Sequence, residues 1–355
     1  MTEDTKTLSM MAVIKDRKEE GFTVVKKTIT TDLAPHEVLV KVMSASFCGT
    51  DYHIYKYDAW AQNRLKLPLT VGHEFSGKII KIGKEVTKVK VGDNVSAETH
   101  IICGTCEFCL RGEGHICENT KIIGVDIDGC FANYIKMPED NCFINSPDIN
   151  PLYLSVQEPL GNAVHTVTQF DIHNKSVAIV GCGPIGLLGI DVAKAYGAKQ
   201  IIAIEVNEYR RNLAKELGAD VIVNPLEDDV IQIVRKATNG KGVDVVCEFS
   251  GNKSAIEQAF KYIKAGGKMS MLGLPSKNIE INLADDVVFK GITIYGVVGR
   301  KIYGTWHQVK ALIDNNQLHL DKIITHQFPL SKINEAAKIM GSGNSGKIVL
   351  IPEEV

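Results

Sequence analysis

Residues 176–186 read SVAIVGCGPIG, a run of small and β-branched residues followed at once by the pattern GxGxxG. Gly181 permits a tight turn, Gly183 lets the backbone approach a pyrophosphate, and Gly186 allows a helix to pack closely on the strand. The helix that begins here presents free N–H groups and its positive dipole end to phosphates. The stretch therefore predicts the first βα unit of a dinucleotide-binding domain.

The residues that follow repeat this alternation of strand and helix. Candidate strands are QIIAIEV at 200–206, ADVIVN, VDVVCEFSG, KMSMLG and ITIYGVVG, with helical segments between most of them. Together with SVAIV they predict about six strands of a doubly wound parallel sheet, an α/β fold of the Rossmann type.

Glu205 lies at the end of the second candidate strand, where an acidic residue accepts hydrogen bonds from both ribose hydroxyls of the nucleotide. A 2′-phosphate at that position would be repelled by the carboxylate, so the sequence predicts NAD rather than NADP. Arg210 and Arg211 lie close enough to offer positive charge if Glu205 turned away.

The first part of the chain has a different texture. Short alternating segments such as EVLVKVMSAS, GKIIKIG, DNVSAET and FANYIKMP are typical of half-buried antiparallel strands. The last residues, with an amphipathic helix and the strand GKIVLIP, do not continue the Rossmann repeat. Since a domain has roughly 100–200 residues, we predict two: residues 159–297 form the NAD-binding domain, and residues 1–158 and 298–355 form a β-rich domain.

Composition excludes several classes of partner. The chain has 40 Lys+Arg against 42 Asp+Glu, a formal net charge of −2, and no basic block that would bind nucleic acid. Its apolar stretches are shorter than the 18 or so residues of a membrane span. The polar N-terminus MTEDTKTLSM lacks an apolar signal core. We expect a cytoplasmic protein whose substrate is a small molecule, with no nucleic-acid or membrane partner.

Nine cysteines are present, and four of them lie within residues 103–117: Cys103, Cys106, Cys109 and Cys117. An odd total argues against a secreted disulfide framework. Short C-x2-C steps let thiolates converge on one tetrahedral cation, which predicts a structural zinc lobe near residues 100–120. An iron–sulfur cluster also takes four cysteines and remains an alternative. The remaining cysteines other than Cys48 are interpreted as small buried hydrophobic residues.

A second group of metal-type residues lies upstream. Gly72-His73-Glu74-x-x-Gly77 is preceded by Cys48-Gly49-Thr50-Asp51-x-His53. A thiolate, an imidazole and a carboxylate together select a zinc-like ion. These two motifs are followed along the chain by the four-cysteine lobe and then by GxGxxG. In this order of motifs, essentially the whole chain resembles the zinc-containing medium-chain dehydrogenases. That resemblance implies a GroES-like catalytic domain and one catalytic and one structural zinc ion per chain.

The same resemblance implies roles for individual residues. Cys48 and His73 correspond to catalytic-zinc ligands, and Glu74 to a glutamate that ligates the zinc or swings against it. Glu158 falls where liver-type alcohol dehydrogenases supply a cysteine ligand, and a glutamate there is typical of enzymes that oxidise polyols and amino alcohols. Thr50 and His53 can form a hydroxyl–imidazole proton relay to solvent.

Further segments, among them CGTDYHIYKYDAWAQ, GNAVHT and GRKIYGTW, are similar to family members that oxidise L-threonine at its β-carbon. By this resemblance His100 lies near the substrate, and the chain forms a homotetramer. The implied NAD contacts beyond the glycine motif are Ile185, Glu205, Arg210, Leu272, Gly273, Leu274, Val297 and Val298. The family often has an aromatic residue at the last two positions, so the Val–Val pair is a departure.

Three alternatives remain open at this stage. A sorbitol-type polyol dehydrogenase or a 2,3-butanediol dehydrogenase would share every zinc and nucleotide residue. A non-catalytic NAD- and zinc-binding sensor would have lost part of the set Cys48, Thr50, His53, His73 and Glu74, which is complete here. A nucleic-acid-binding zinc module would carry a basic stripe, which this sequence does not have.

Overall fold

The computed structural model describes residues 6–354. The chain divides into two compact units. The first runs to Glu158 and is completed by Ile324–Ser342 and the residues from Lys347 onward. The second consists of Pro159–Ile323 and Gly343–Gly346.

The chain returns to the first unit at Ile324, which corrects the predicted boundary at residue 298. Residues 298–323 stay with the second unit because they contribute helices to it. The backbone N–H of His319 donates to the buried carboxylate of Asp191 over 2.6 Å, and its Nδ1 lies 2.9 Å from the same carboxylate. This contact ties the segment to the Rossmann half of the chain.

The strands and the α-helices of the described residues are each numbered along the chain. The strands are β1 (Thr7–Lys15), β2 (Thr23–Thr30), β3 (Glu37–Phe47), β4 (Leu69–Thr70), β5 (Glu74–Ile82), β6 (Asn94–Ala97), β7 (His100–Ile101), β8 (Lys121–Ile122), β9 (Tyr134–Pro138), β10 (Cys142–Asn145), β11 (Ser176–Val180), β12 (Gln200–Ile204), β13 (Val221–Val223), β14 (Val243–Glu248), β15 (Ile263–Met271), β16 (Thr293–Gly296), β17 (Ile324–Pro329) and β18 (Lys347–Ile351). The α-helices are α1 (Gly49–Lys56), α2 (Ala59–Arg64), α3 (Glu107–Leu110), α4 (Pro151–Leu154), α5 (Gln157–Thr168), α6 (Pro184–Ala195), α7 (Glu208–Glu216), α8 (Val230–Ala237), α9 (Lys253–Tyr262), α10 (Gly304–Asp314), α11 (Leu320–Ile323) and α12 (Ile333–Ser342).

The first unit is built on a seven-stranded sheet in the order β10-β6-β5-β3-β18-β17, with β9 also paired to β3. The predicted alternating segments form β3, β5, β6 and β9, which pair antiparallel as expected. The register places Ser46 opposite Glu74 and Phe47 opposite Ile348. The end of β3 and the starts of β5 and β18 therefore meet at one place, and the core beneath includes the stacked rings of Phe47 and Phe131.

The second unit contains six parallel strands in the order β13-β12-β11-β14-β15-β16. This order is that of a doubly wound dinucleotide-binding sheet, as the sequence predicts. The central strands are buried on both faces, and their apolar side chains include Ala178, Val180, Ile202 and Ile204. In such sheets the ligand crevice lies at the carboxyl ends of the strands. No helix within residues 6–354 has the length and apolar character needed to cross a membrane.

Candidate active site and nucleotide site

Cys48, His73 and Glu74 come together where β3 ends and β5 begins. One potential ligand atom from each lies within 4.8 Å of the other two. His73 is 5% exposed and Glu74 is fully buried. Gly72 precedes them with a φ of +88°, and a Cβ there would lie 2.2 Å from the ring of Phe131. Only glycine fits this turn, which fixes the direction in which His73 enters the site.

The residues of this cluster fit a zinc-type ion. Among the described buried side chains, Glu74 Oε1 lacks a hydrogen-bond partner, whereas Asp51 Oδ1 and His73 Nδ1 face each other. An unsatisfied buried polar atom costs about 1–3 kcal/mol, so a bound cation would relieve a real cost. The thiolate, imidazole and carboxylate are ligand types that zinc accepts. Asp51 supports the set, since its carboxylate accepts from Cys48 N over 2.9 Å and lies 3.4 Å from His73 Nδ1.

The sequence interpretation missed two residues of this site, Lys347 and Ser46. The Lys347 ammonium is 1% exposed and donates to Glu74 Oε2 and, over 3.1 Å, to the carbonyl of Phe47. Ser46 Oγ donates to the same glutamate oxygen. Burial lowers the pKa of Lys347, but the charge of Glu74 outweighs it and the pKa is raised, so Lys347 stays an ammonium. The available signal was a lysine at the head of the apolar strand GKIVLIP.

Glu158 lies at the first turn of α5 and is 6% exposed. It is outside the three-residue cluster. Burial raises the pKa of Glu74, and the negative charge of Glu158 adds to that rise. His100, at the start of β7, lies with its Nδ1 3.1 Å from the buried carboxylate of Glu98. Both residues belong to the unit that holds the metal cluster.

Thr50 and His53 lie one turn apart on α1, which starts directly after Cys48. Thr50 Oγ1 is 3.9 Å from Cys48 Sγ. The His53 side chain is 58% exposed. Thr50 therefore lies beside the Cys48 thiol, and His53 lies on the solvent-exposed part of the same helix.

The four lobe cysteines converge as predicted: Cys103, Cys106, Cys109 and Cys117. Their sulfur–sulfur separations include 3.5, 3.6, 3.8 and 4.0 Å. A tetrahedral ion with Zn–S bonds of about 2.3 Å requires an edge of about 3.8 Å. A multi-iron cluster would hold the sulfurs further apart because they bind different irons, so the spacing favours zinc. Backbone N–H groups of Thr105 and Cys106 lower the pKa of Cys103 to about 5, which favours the ligating thiolate.

The second unit contains a cavity of about 530 Å³ whose walls include Gly181, Gly183, Glu205 and Arg210. Gly181 has a φ of +85°, and a Cβ at Gly186 would lie 1.9 Å from the carbonyl oxygen of Gly181. The helix α6 begins after Gly183 without a side-chain cap, so its first N–H groups face a prospective phosphate. The predicted glycine roles therefore have a geometric basis.

The carboxylate of Glu205 is held in place by two backbone donors. Its Oε2 accepts from Cys182 N over 2.7 Å, and its Oε1 accepts from Asn207 N over 2.9 Å. Arg211 donates to the carbonyls of Glu205 and Val206, so its charge is directed to the backbone. Arg210 lines the cavity while its Nε donates to the Ser345 carbonyl over 3.3 Å. A 2′-phosphate would therefore meet the Glu205 carboxylate.

The other predicted NAD contacts are not walls of this cavity. Leu272 and Gly273 both donate their backbone N–H groups to the Glu248 carbonyl, over 3.0 and 3.1 Å. Leu274 is 91% exposed and Val298 52%, whereas Val297 is 7% exposed. Ile185 lies in the first turn of α6. These positions remain predictions, made from the resemblance.

Comparison with known proteins covers both units. The family model "Alcohol dehydrogenase GroES-like domain" matches residues 34–148, and "Zinc-binding dehydrogenase" matches residues 184–315. The 2R,3R-butanediol dehydrogenase structure from Bacillus subtilis has a TM-score of 0.87 at 28% identity, over 97% of this chain and 100% of that one. Fold and site together define a zinc-binding alcohol dehydrogenase.

Two curated relatives narrow the class. The L-threonine 3-dehydrogenase of Caldanaerobacter subterraneus subsp. tengcongensis is 53% identical over 97% of this chain and 99% of its own length. The L-threonine 3-dehydrogenase of Bacillus subtilis is 49% identical over the same shares. The chain belongs to the zinc-binding dehydrogenase family of which these L-threonine 3-dehydrogenases are members.

Proposed function

We propose that this chain oxidises L-threonine at its β-carbon with NAD as the acceptor. The β-carbon gives a hydride to NAD⁺ and the hydroxyl gives a proton to solvent, so the products are L-2-amino-3-oxobutanoate, NADH and H⁺. The observation that carries the proposal is identity of about half the residues, over nearly the full length, to proteins named for this activity. The buried cluster of Cys48, His73 and Glu74 supplies the matching chemistry.

A zinc ion held by these three residues would act as a Lewis acid that lowers the pKa of the substrate hydroxyl. The chain itself has to remove the proton. Thr50 Oγ1 accepts the hydroxyl proton while passing its own to His53, which is exposed and releases it to water. Asp51 orients Cys48 and His73 through its contacts with the Cys48 N–H and with His73 Nδ1.

Recognition of threonine needs a carboxylate for its ammonium group. Glu74 is already engaged by Lys347 and Ser46, so we assign this role to Glu158, which is buried in the same unit. His100, oriented by Glu98, is our candidate for a contact on the rest of the substrate.

For the cofactors we propose NAD, selected by the fixed carboxylate of Glu205, and two zinc ions per chain. One would be catalytic, at Cys48, His73 and Glu74, and one structural, in the four-cysteine lobe. The NAD contacts at Ile185, at Leu272–Leu274 and at Val297–Val298 belong to the same proposal.

We also propose a homotetramer located in the cytoplasm. Strand β16 is one edge of the parallel sheet, and in the segment that precedes it in the chain Leu283, Val288 and Phe289 are 63%, 69% and 80% exposed. An open strand edge favours pairing with another subunit, and exposed apolar side chains favour burial in an interface. A reducing compartment would keep the lobe cysteines, which are free thiols here, available for metal. With a net charge of −2, we propose no nucleic-acid or membrane partner.

The test is NADH production from L-threonine, sorbitol and 2,3-butanediol, each assayed with NAD and NADP. We expect threonine with NAD to give the highest kcat/KM. Higher efficiency on either polyol would overturn the substrate assignment and favour the alternative. As a control, Cys48→Ser should abolish turnover while the dissociation constant of NADH, followed by fluorescence, changes little, because Cys48 is absent from the nucleotide cavity.

A further inference from the structure

The proton relay has a third polar member that its motif does not contain. Asp58 Oδ2 lies 2.5 Å from His53 Nδ1, on the side of the imidazole opposite Nε2. We propose that Asp58 is a positioning residue, whose carboxylate fixes the ring orientation and the Nδ1–H tautomer of His53 so that Nε2 accepts the proton. This inference rests on the proposed dehydrogenase function, but it applies to any alcohol that the enzyme oxidises.

The contact is part of a constructed corner between α1 and α2. Asp58 is the N-cap of α2, and its other oxygen, Oδ1, accepts from Ala61 N over 3.1 Å. The preceding residue, Tyr57, ends α1 in the left-handed conformation with φ of 49°. The side chain of Gln62 donates to the Tyr57 carbonyl over 2.8 Å. The two carboxylate oxygens thus have separate partners, one in the backbone and one in the imidazole.

Two further observations fit a positioning role. The indole of Trp60 lies with its centroid 6.3 Å from the His53 ring, so α2 supplies both the carboxylate and a ring that restricts the imidazole. Burial raises the pKa of Asp58, but the hydrogen bonds from His53 and the Ala61 N–H outweigh it, and the net pKa is lowered. Asp58 is therefore ionised at neutral pH, and its carboxylate accepts a hydrogen bond that His53 Nδ1–H donates.

The proton balance is simple. The hydroxyl proton of the substrate moves to Thr50 Oγ1, while the hydroxyl proton of Thr50 moves to His53 Nε2. The resulting imidazolium then loses a proton to water or buffer. Asp58 keeps its charge throughout and holds the His53 ring through its Nδ1. Loss of Asp58 therefore slows the relay without changing hydride chemistry or nucleotide binding.

The test uses Asp58→Asn in the zinc-loaded enzyme, because asparagine retains the N-cap of α2. We expect kcat/KM for the alcohol to fall by about 10- to 100-fold, with NAD affinity, zinc content and Tm unchanged. The lost rate should return as the concentration of a small buffer such as imidazole increases. His53→Ala should show the same buffer dependence, and the double variant should be no slower than His53→Ala.

Gln62→Ala is the matched control, because it loosens the same corner without touching His53. It should keep wild-type kcat/KM and show no buffer dependence. The proposal is overturned if Asp58→Asn retains wild-type efficiency, if its loss is not restored by buffer, or if its effect adds to that of His53→Ala. Since the assay uses whichever alcohol the wild type oxidises, failure on threonine would leave this test intact.

Discussion

Replacing Lys347 by methionine should strongly destabilise the first unit of the metal-free protein. The lysine and its partner, Glu74, are 1% and 0% exposed, and the ammonium donates to the glutamate and to the Phe47 carbonyl. Methionine keeps the length and apolar stem of the side chain but removes the charge. It therefore leaves a buried carboxylate whose remaining donor is Ser46.

Breaking a buried ion pair by removing one partner costs about 3–5 kcal/mol, because the other charge stays desolvated and uncompensated. Glu74→Gln should cost a similar amount for the same reason, since it leaves a buried ammonium. The double variant contains neither charge, so its loss should be several kcal/mol smaller than the sum of the two single losses.

Urea unfolding with EDTA present measures these losses without the stabilisation that bound zinc would add. The chain has two tryptophans, and Trp60 belongs to the first unit while Trp306 belongs to the second. A Trp306→Phe background therefore makes the fluorescence report the first unit. Exposed Lys41 provides the control, and Lys41→Met should change stability by less than about 0.5 kcal/mol. A loss for Lys347→Met no larger than this control, or losses that add in the double variant, would refute the reasoning.

Three further outcomes are expected. Cys106→Ser should remove one zinc ion per chain and lower Tm while sparing kcat/KM at permissive temperature; full zinc content measured by atomic absorption would contradict the lobe assignment. Glu205→Ala should raise the KM for NAD by roughly 10- to 100-fold, the value of a charged hydrogen bond. It should also reduce the preference for NAD over NADP. An unchanged NAD:NADP ratio of kcat/KM would count against the role of Glu205. Burial raises the pKa of Asp244, but hydrogen bonds from Lys264 and Ser176 outweigh burial and lower the pKa. The ionised Asp244 therefore stabilises the fold above the ordinary pKa of about 3.9, and this stabilisation is lost at lower pH. Asp244→Asn should therefore be less stable than wild type at neutral pH, with a gap in urea unfolding that closes in acid; a constant gap would exclude this linkage.

The parts of the site that sequence predicts are those encoded by local patterns. The glycines of residues 181–186 and the four lobe cysteines each lie within one short segment, so their spacing alone defines the chemistry. Cys48 and His73 lie further apart from each other in the sequence. They are still recognisable as candidate metal ligands, because a cysteine or a histidine next to a glycine is uncommon.

Lys347 could not be predicted in the same way, because its partner Glu74 is 273 residues away. A lysine at the head of a strand is usually exposed, and this one is buried because β18 lies between β3 and β17 in the sheet. The domain boundary near residue 298 failed for a related reason. Amphipathic helices such as α10 show that they cover an apolar surface, but their sequence does not say which sheet provides it.

The central claim is that a hydride leaves the β-carbon of threonine and goes to NAD. L-threonine deuterated at C3 tests it directly when the reduced cofactor is analysed by mass spectrometry. The account predicts one deuterium in each NADH formed, with protium from unlabelled threonine in solvent D₂O. Unlabelled NADH from the C3-deuterated substrate, or absence of reduction with threonine while a polyol is oxidised, would contradict it.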